Sequence, residues 1–126
     1  MKWLRLDTVL AIHKLQIAEH GGSDGVRDLG LLESALARPV NIAAYESEAD
    51  VARLAAAYGF GIAKSHPFVD GNKRTALVAT RTFLAMHGLE LQATPQEKYL
   101  TFIALAEGTL SEDALAAWLR EHISGT

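Results

Sequence analysis

Apolar residues recur every three or four positions along most of this chain, and this spacing predicts helices. One such run follows Asp7, covers residues 9–20 and ends at a glycine pair. A second run, LGLLESALA, is expected to stop at Arg38-Pro39, because the residue before a proline is disfavoured in helical geometry. The first third of the chain is therefore predicted to hold one long and one short helix.

Two further helices are expected at the centre of the molecule. The segment ending in VARLAAAYGFGIAKS, residues 48–65, is apolar almost all round and has Ser47 or Asp50 available as its N-cap. The segment from Asn72 onward keeps helical spacing up to Gly88, a natural C-terminal cap. We expect the rest of the fold to pack around this pair.

The last third of the chain adds two helix starts and one candidate strand. Thr94 begins a capping box followed by proline, and Ser111 precedes a final amphipathic helix. LELQ at 89–92 reads as a short strand whose partner would be KWLRL near the N-terminus. The fold prediction is a compact all-α bundle of five to six helices in one domain, 1–126, with at most a minor β ribbon.

Composition narrows the functional classes. The chain has 126 residues, is 49% hydrophobic and 21% charged, and carries a formal charge of -3, so its overall charge does not attract nucleic acid or an anionic membrane. It has no cysteine, which excludes disulfides and thiolate chemistry. Its first twenty residues interleave charged with apolar positions, unlike a signal peptide or a membrane span. A cytoplasmic protein is the expectation.

The nine residues HPFVDGNKR, 66–74, concentrate the polar chemistry at the start of a predicted helix. The first N–H groups of a helix have no internal partner, and the helix dipole makes that end an anion site. Gly71 permits close approach of a ligand, and Asn72 can donate to and accept from it. Lys73 and Arg74 add two positive charges, which suits a polyphosphate.

The same segment offers a base and a metal ligand. His66 can take a proton from an attacking hydroxyl group. Asp70 would be repelled by a polyphosphate unless a cation such as Mg²⁺ lay between them. Phe68 is expected to anchor the loop in the core. Together these residues predict transfer of a phosphorus-containing group without a side-chain nucleophile.

Taken one at a time, these residues have simpler explanations. A histidine before proline is commonly a turn residue, and Asp-Gly-Asn is ordinary turn chemistry. The adjacent cations Lys73 and Arg74 are less easily explained, since positive charge at a helix start opposes the dipole unless an anion binds there. This conflict favours a functional interpretation.

At these residues the chain resembles the Fic/Doc family, whose pattern is His-x-Phe-x-Asp/Glu-Gly/Ala-Asn-x-Arg. HPFVDGNKR fits throughout, and lysine at the variable position is typical of the Doc, or death-on-curing, branch. The upstream segment GGSDGVRDLGLLESALARP is also similar to Doc proteins. The resemblance implies a small all-α Fic fold in which His66 is the general base, Asp70 binds Mg²⁺, and Gly71, Asn72, Lys73 and Arg74 form the phosphate hole.

Two departures from nucleotide-transferring Fic enzymes bear on the reaction. Those enzymes have glycine where this chain has Lys73, and a second arginine where it has Leu77. The resemblance therefore implies a Doc-type toxin that transfers the γ-phosphate of ATP to a Ser or Thr hydroxyl, with elongation factor Tu as target. Many Fic proteins have an inhibitory helix with the pattern Ser/Thr-x-x-x-Glu-Gly/Asn. This chain does not match it, because Ile103 stands four residues before Glu107-Gly108, where the pattern requires Ser or Thr. The resemblance therefore implies a separate antitoxin protein.

Two other functions stay open at this point: AMP transfer by the same site, and a non-catalytic module that binds nucleotide or partner. A base and a metal ligand in one pocket argue against mere binding. Arg27-Asp28 could touch target or nucleotide, although a solvated turn pair is the simpler interpretation. Four histidines outside the motif lack ligand spacing and are predicted to be surface or capping residues: His13, His20, His87 and His122.

Overall fold

The structure, a computed structural model, describes residues 1–125 and shows a helical bundle with one small ribbon, as predicted. None of the helices in that range is both long and apolar enough to cross a membrane. In chain order the elements are α1 (Leu6–His20), α2 (Leu29–Tyr45), α3 (Val51–Ser65), α4 (Asn72–Met86), β1 (Leu89–Leu91), α5 (Pro95–Glu107), α6 (Glu112–His122) and β2 (Ile123–Gly125).

Helix α3 forms the centre of the bundle and packs against α2, α4, α5 and α6. It is buried on almost every side, from Ala52 through Ala63, as its continuous apolar sequence predicts. The carboxylate of Asp50 caps it by accepting from the backbone N–H of Arg53 at 2.8 Å, so Asp50 rather than Ser47 is the N-cap. The HPFVDGNKR segment follows α3 directly and is therefore attached to the central, most buried helix.

The prediction that α2 stops before Pro39 is wrong. The helix runs through Pro39 to Tyr45, with Pro39 buried inside it. A proline removes one backbone hydrogen bond and crowds the carbonyl group four residues earlier, here that of Ala35. Ala35 is itself packed tightly against Gly61 of α3. Tertiary packing of α2 on α3 thus outweighs the local cost, which a sequence pattern alone does not show.

The partner predicted for the 89–92 strand is also wrong. β1 pairs antiparallel with β2, Leu89 opposite Gly125 and Leu91 opposite Ile123, and not with the N-terminal KWLRL. In that N-terminal segment the backbone N–H of Leu4 donates instead to the hydroxyl of Tyr58 at 3.0 Å. Three-residue strands are too short for their pairing to be read from periodicity.

A partly buried ion cluster joins α2, α3 and α6. The carboxylate of Glu112, only 8% exposed, accepts from Arg53 Nη1 at 2.7 Å and from Arg38 Nε and Nη2. Arg53 also contacts Glu46 at 3.2 Å. Two guanidinium groups thus surround the buried carboxylate of Glu112, which satisfies the requirement that a buried charge be paired.

Candidate active site

The predicted site residues all line one cleft at the start of α4. It has a volume of about 430 Å³ and is closed on its other side by residues of α5. The structure therefore brings together the six residues singled out in the sequence and adds an apolar wall. The lining consists of His66, Val69, Asp70, Gly71, Asn72, Lys73, Arg74, Leu77, Tyr99 and Phe102.

The N-terminus of α4 has no side-chain cap. Its N-cap residue is Gly71, in the left-handed conformation, φ 76° and ψ 18°. Side chains do cap α2, α3, α5 and α6. Lys73 and Arg74 are exposed in the first turn, and their side chains have no hydrogen bond or ion pair with any other residue in 1–125. This helix end therefore presents N–H groups and two unneutralised cations to the cleft.

Asn72 and Phe68 lock the loop onto the helix. Asn72 Oδ1 accepts from the backbone N–H of Phe68, and its Nδ2 donates to the Phe68 carbonyl, both at 2.9 Å. Phe68 is 1% exposed, which confirms its predicted role as anchor. The carboxamide of Asn72 is thus fixed by the loop, with one amide N–H still available for a ligand.

His66 ends α3 in the left-handed conformation, φ 50° and ψ 59°, and no other non-glycine residue in 1–125 has a positive φ. Such a conformation costs a non-glycine residue about 1 to 2 kcal/mol. Arg27 supports it by donating from Nε to the His66 carbonyl at 2.7 Å and from Nη2 to the Ser65 carbonyl at 2.8 Å. Arg27 is therefore a support for the site, and not simply part of a solvated turn pair.

The segment 22–28 lies along the motif loop and contacts Asp70. One Asp70 oxygen accepts from the backbone N–H of Gly71 at 2.9 Å and the other from that of Ser23 at 3.3 Å. Gly22 is packed so closely that a Cβ atom there would lie 2.8 Å from the Asp70 carboxylate. Val26 forms a single antiparallel bridge with Phe68. Asp28, the neighbour of Arg27, is the N-cap of α2.

His13 is buried, so the prediction that it is a surface or capping residue is wrong. Its ring is stacked on Phe68, with centroids 3.9 Å apart and planes at 5°, and its Nε2 lies 2.8 Å from the Asp70 carbonyl oxygen. The sequence offered no clear signal for this, because the buried face of α1 also holds the polar Gln16 while Leu15 is exposed. The other three histidines do lie at helix ends, as predicted.

The far wall of the cleft was not predicted from the sequence. Tyr99, on α5, is 57% exposed at the cleft, and Phe102 behind it is buried. Leu77 lines the cleft one helical turn beyond Arg74. A second cavity, of about 390 Å³, lies between residues 45–53 and Arg120 and contains none of the predicted site residues.

Comparison with known proteins agrees with this geometry. The family model described as Fic/DOC family matches residues 3–84, well over half of the chain. The chain belongs to the Fic/Doc family. It is 32% identical over 120 residues to the protein kinase doc of Escherichia phage P1, covering 95% of this chain and 94% of that protein. It is also 43% identical over 74 residues to the toxin Doc of Mycolicibacterium smegmatis, covering 58% of this chain and 57% of that one. These relatives confirm the resemblance to the Doc branch of the family.

Proposed function

We propose that this Fic/Doc protein is a Doc-type toxin kinase that transfers the γ-phosphate of ATP to a Ser or Thr hydroxyl of a protein. One observation carries the proposal: an uncapped helix start with the unpaired cations Lys73 and Arg74, in the cleft that also holds His66 and Asp70. Such an arrangement suits a polyphosphate. The phage relative named as a protein kinase supports the same reaction class.

The reaction requires a base but no covalent protein intermediate. The hydroxyl oxygen of the target forms a bond to the γ-phosphorus, the bond from that phosphorus to the bridging oxygen of ADP breaks, and ADP leaves. The imidazole of His66 accepts the hydroxyl proton, since its ring makes no hydrogen bond with other residues in 1–125 and stands at the cleft. Lys73, Arg74 and the first N–H groups of α4 stabilise charge on the transferred group.

Asp70 fits the protein's share of a Mg²⁺ site. Asp70 lines the cleft, and within residues 1–125 its carboxylate accepts from two backbone N–H groups alone, which leaves lone pairs for a cation. Residues 1–125 contain no group of three or more acidic or histidine ligands. A single carboxylate is typical of Mg²⁺ that is held chiefly by phosphates and water. When bound, the ion would neutralise charge on the phosphates.

Lys73 and Leu77 favour phosphate transfer over AMP transfer. Lysine at position 73 places a cation, rather than open backbone, beside the helix start. Leu77 presents an apolar side chain to the cleft where AMP-transferring relatives are expected to have an arginine. Elongation factor Tu in the cytoplasm is the proposed target. A separate antitoxin is the proposed restraint, because Glu107, the last residue of α5, does not line the cleft.

The decisive experiment compares ATP labelled at the γ or the α position, with Mg²⁺ and purified elongation factor Tu or a bacterial extract as acceptor. We expect the γ label alone to enter protein. His66→Asn should lower the rate about 10²- to 10⁴-fold while it leaves the fold intact, since asparagine tolerates the left-handed backbone but is not a base. His20→Asn is the matched control and should transfer normally.

Three results would contradict the proposal. Incorporation of the α label would assign AMP transfer instead. Binding of Mg·ATP without incorporation of either label would assign a non-catalytic module. An unchanged rate in His66→Asn would remove His66 from the reaction. Label in an extract protein other than elongation factor Tu would support the kinase activity but contradict elongation factor Tu as its target.

A further inference from the structure

His13 of α1 lies directly beneath the Asp70–Gly71 peptide. It is 2% exposed, and one face of its ring is stacked on the ring of Phe68. Its Nε2 is 2.8 Å from the Asp70 carbonyl oxygen. A carbonyl oxygen can only accept, so Nε2 must carry the proton in this contact. His13 is separated from Asp70 by 57 residues in the sequence and belongs to no motif.

The other side of the ring faces the segment 22–28. Nδ1 is 3.8 Å from Asp24 Oδ1, and Asp24 Oδ2 contacts Lys14 at 3.3 Å. Two hydrogen bonds hold the pKa of Asp24 below its ordinary value: the larger effect comes from the backbone N–H of Gly25 and the smaller one from the side chain of Lys14. His13 therefore joins α1, the motif loop and the segment 22–28 at a single point.

Planarity of the peptide group gives this hydrogen bond a consequence for the cleft. The Asp70 carbonyl and the Gly71 N–H belong to one trans peptide group, so they point in opposite directions. With the carbonyl held toward α1, the N–H is directed away from it, where it meets Asp70 Oδ1 at 2.9 Å. One contact thus sets the direction of the Gly71 N–H together with the Asp70 carboxylate that it binds.

This peptide needs such a restraint because glycine follows it. Gly71 has φ 76° and the broad conformational freedom of glycine, so rotation of the 70–71 peptide plane meets little local resistance. After a half turn the N–H would leave the Asp70 carboxylate, and the carbonyl oxygen, a partial negative charge, would take its place beside that carboxylate. A Cβ atom on Gly71 would lie 3.2 Å from Ile17 Cδ1 and 3.7 Å from His13 Cδ2, and the positive φ of this position would strain any residue that has a side chain.

We propose that His13 is a positioning residue that holds the 70–71 peptide in the orientation in which the Gly71 N–H holds the Asp70 carboxylate for its role in the cleft. The inference rests on the proposed function and extends it to a residue outside the motif. His13 does not touch substrate in this role and acts only through Asp70.

Two variants separate the hydrogen bond from the ring. His13→Phe keeps an aromatic ring against Phe68 but has no donor, whereas His13→Gln has an N–H donor of similar reach but no ring. We expect His13→Phe to lower kcat for γ-phosphate transfer about tenfold to a hundredfold, because the Asp70 carbonyl loses its hydrogen-bond donor and the peptide turns. His13→Gln should recover most of that loss. His20→Gln, at the exposed end of α1, is the matched control and should behave as wild type.

Nuclear magnetic resonance gives a readout that general loss of packing would not reproduce. The amide signal of Gly71 should shift and its hydrogen exchange quicken in His13→Phe and stay near wild type in His13→Gln. In the unmodified protein, ¹⁵N-labelled His13 should show a protonated Nε2 protected from exchange. This last measurement needs no variant, so it tests the proposal even if His13→Phe fails to fold.

The inference is overturned if Nε2 of His13 is unprotonated, if a folded His13→Phe protein transfers phosphate at the wild-type rate, or if the two variants lose activity equally. Failure of the proposed function looks different. In that case the wild type transfers no γ label, while the Gly71 and His13 signals still show whether the peptide is held.

Discussion

Arg27 donates two hydrogen bonds to carbonyl groups at the end of α3, those of Ser65 and His66. It is 38 and 39 residues away from them in sequence, so no periodicity or local motif connects the three. The burial of His13 was predicted wrongly for the same reason, because its contacts Phe68 and Asp70 are distant in sequence. The six cleft residues were predictable because they stand within nine consecutive positions whose chemistry is mutually consistent. The supports of the site, by contrast, depend on tertiary contacts.

We expect Arg27→Ala to lower γ-phosphate transfer about tenfold and the free energy of unfolding by about 1 kcal/mol, because two carbonyls lose their donor. Arg27→Lys should recover only part of the rate, since an ammonium group cannot reproduce the planar guanidinium fork. Label incorporation and urea denaturation measure the two effects. Arg81→Ala removes an exposed arginine of α4 outside the cleft and should change neither. A wild-type rate in Arg27→Ala would mean that His66 keeps its backbone conformation unaided.

At the scale of elements, helix starts were predicted well wherever a side chain caps them. Asp50, Thr94 and Ser111 each accept from a backbone N–H of the first turn, and Thr94 and Glu97 complete the predicted capping box. These are local interactions with a fixed spacing. The end of α2 and the pairing of β1 were predicted wrongly, since both depend on contacts with segments distant in sequence.

Asp50 has a second role that its cap pattern does not reveal. Besides capping α3, its carboxylate accepts from Arg120 Nε at 2.6 Å and from Arg120 Nη2 at 3.0 Å. These hydrogen bonds are the main cause of a pKa for Asp50 below its ordinary value of 3.8. Asparagine caps a helix as well as aspartate does but cannot form the ion pair.

Asp50→Asn should therefore lower the free energy of unfolding at pH 7 by about 0.2 to 1 kcal/mol, the range for a half-exposed ion pair. Because the folded-state pKa is depressed, this contribution is complete above pH 3.8 and lost as the pH falls through the lower folded-state value. Asp50→Ala should cost about 1 kcal/mol more, from loss of the cap. Urea denaturation of the three proteins at pH 7 and in acid measures this, and a pH-independent difference for Asp50→Asn would contradict it.

At the scale of the molecule, the bundle depends on how closely α2 approaches α3. A Cβ atom on Gly61 would lie 3.0 Å from Ala35 Cβ and 3.2 Å from Ala35 Cα, so the helices meet almost backbone to backbone. The small residues of α3 predicted close packing, but they did not predict which helix would pack against them. This contact also determines how far Arg27 lies from His66, because Arg27 stands just before α2 and His66 directly follows α3.

Gly61→Ala should lower the free energy of unfolding by about 1 to 3 kcal/mol through overpacking, although alanine is the better helix former by about 1 kcal/mol. Adding Ala35→Gly should restore part of the loss, since it removes the nearer of the two atoms. Transfer should fall in the single variant as α2 and Arg27 move away from His66. Thermal and urea unfolding, with label incorporation, test both parts. Net stabilisation by Gly61→Ala would contradict this, because it would mean that α2 moves away from α3 at little energetic cost.

The left-handed backbone at His66 has a consequence for protein engineering. Helices commonly end in this conformation with glycine, which adopts it without strain. A routine attempt to stabilise the chain would therefore replace His66 by glycine and would be expected to raise the melting temperature. It would also discard the imidazole proposed as the base. Any more heat-resistant version of this protein that keeps the proposed activity must gain its stability elsewhere in the bundle and leave the strained histidine in place.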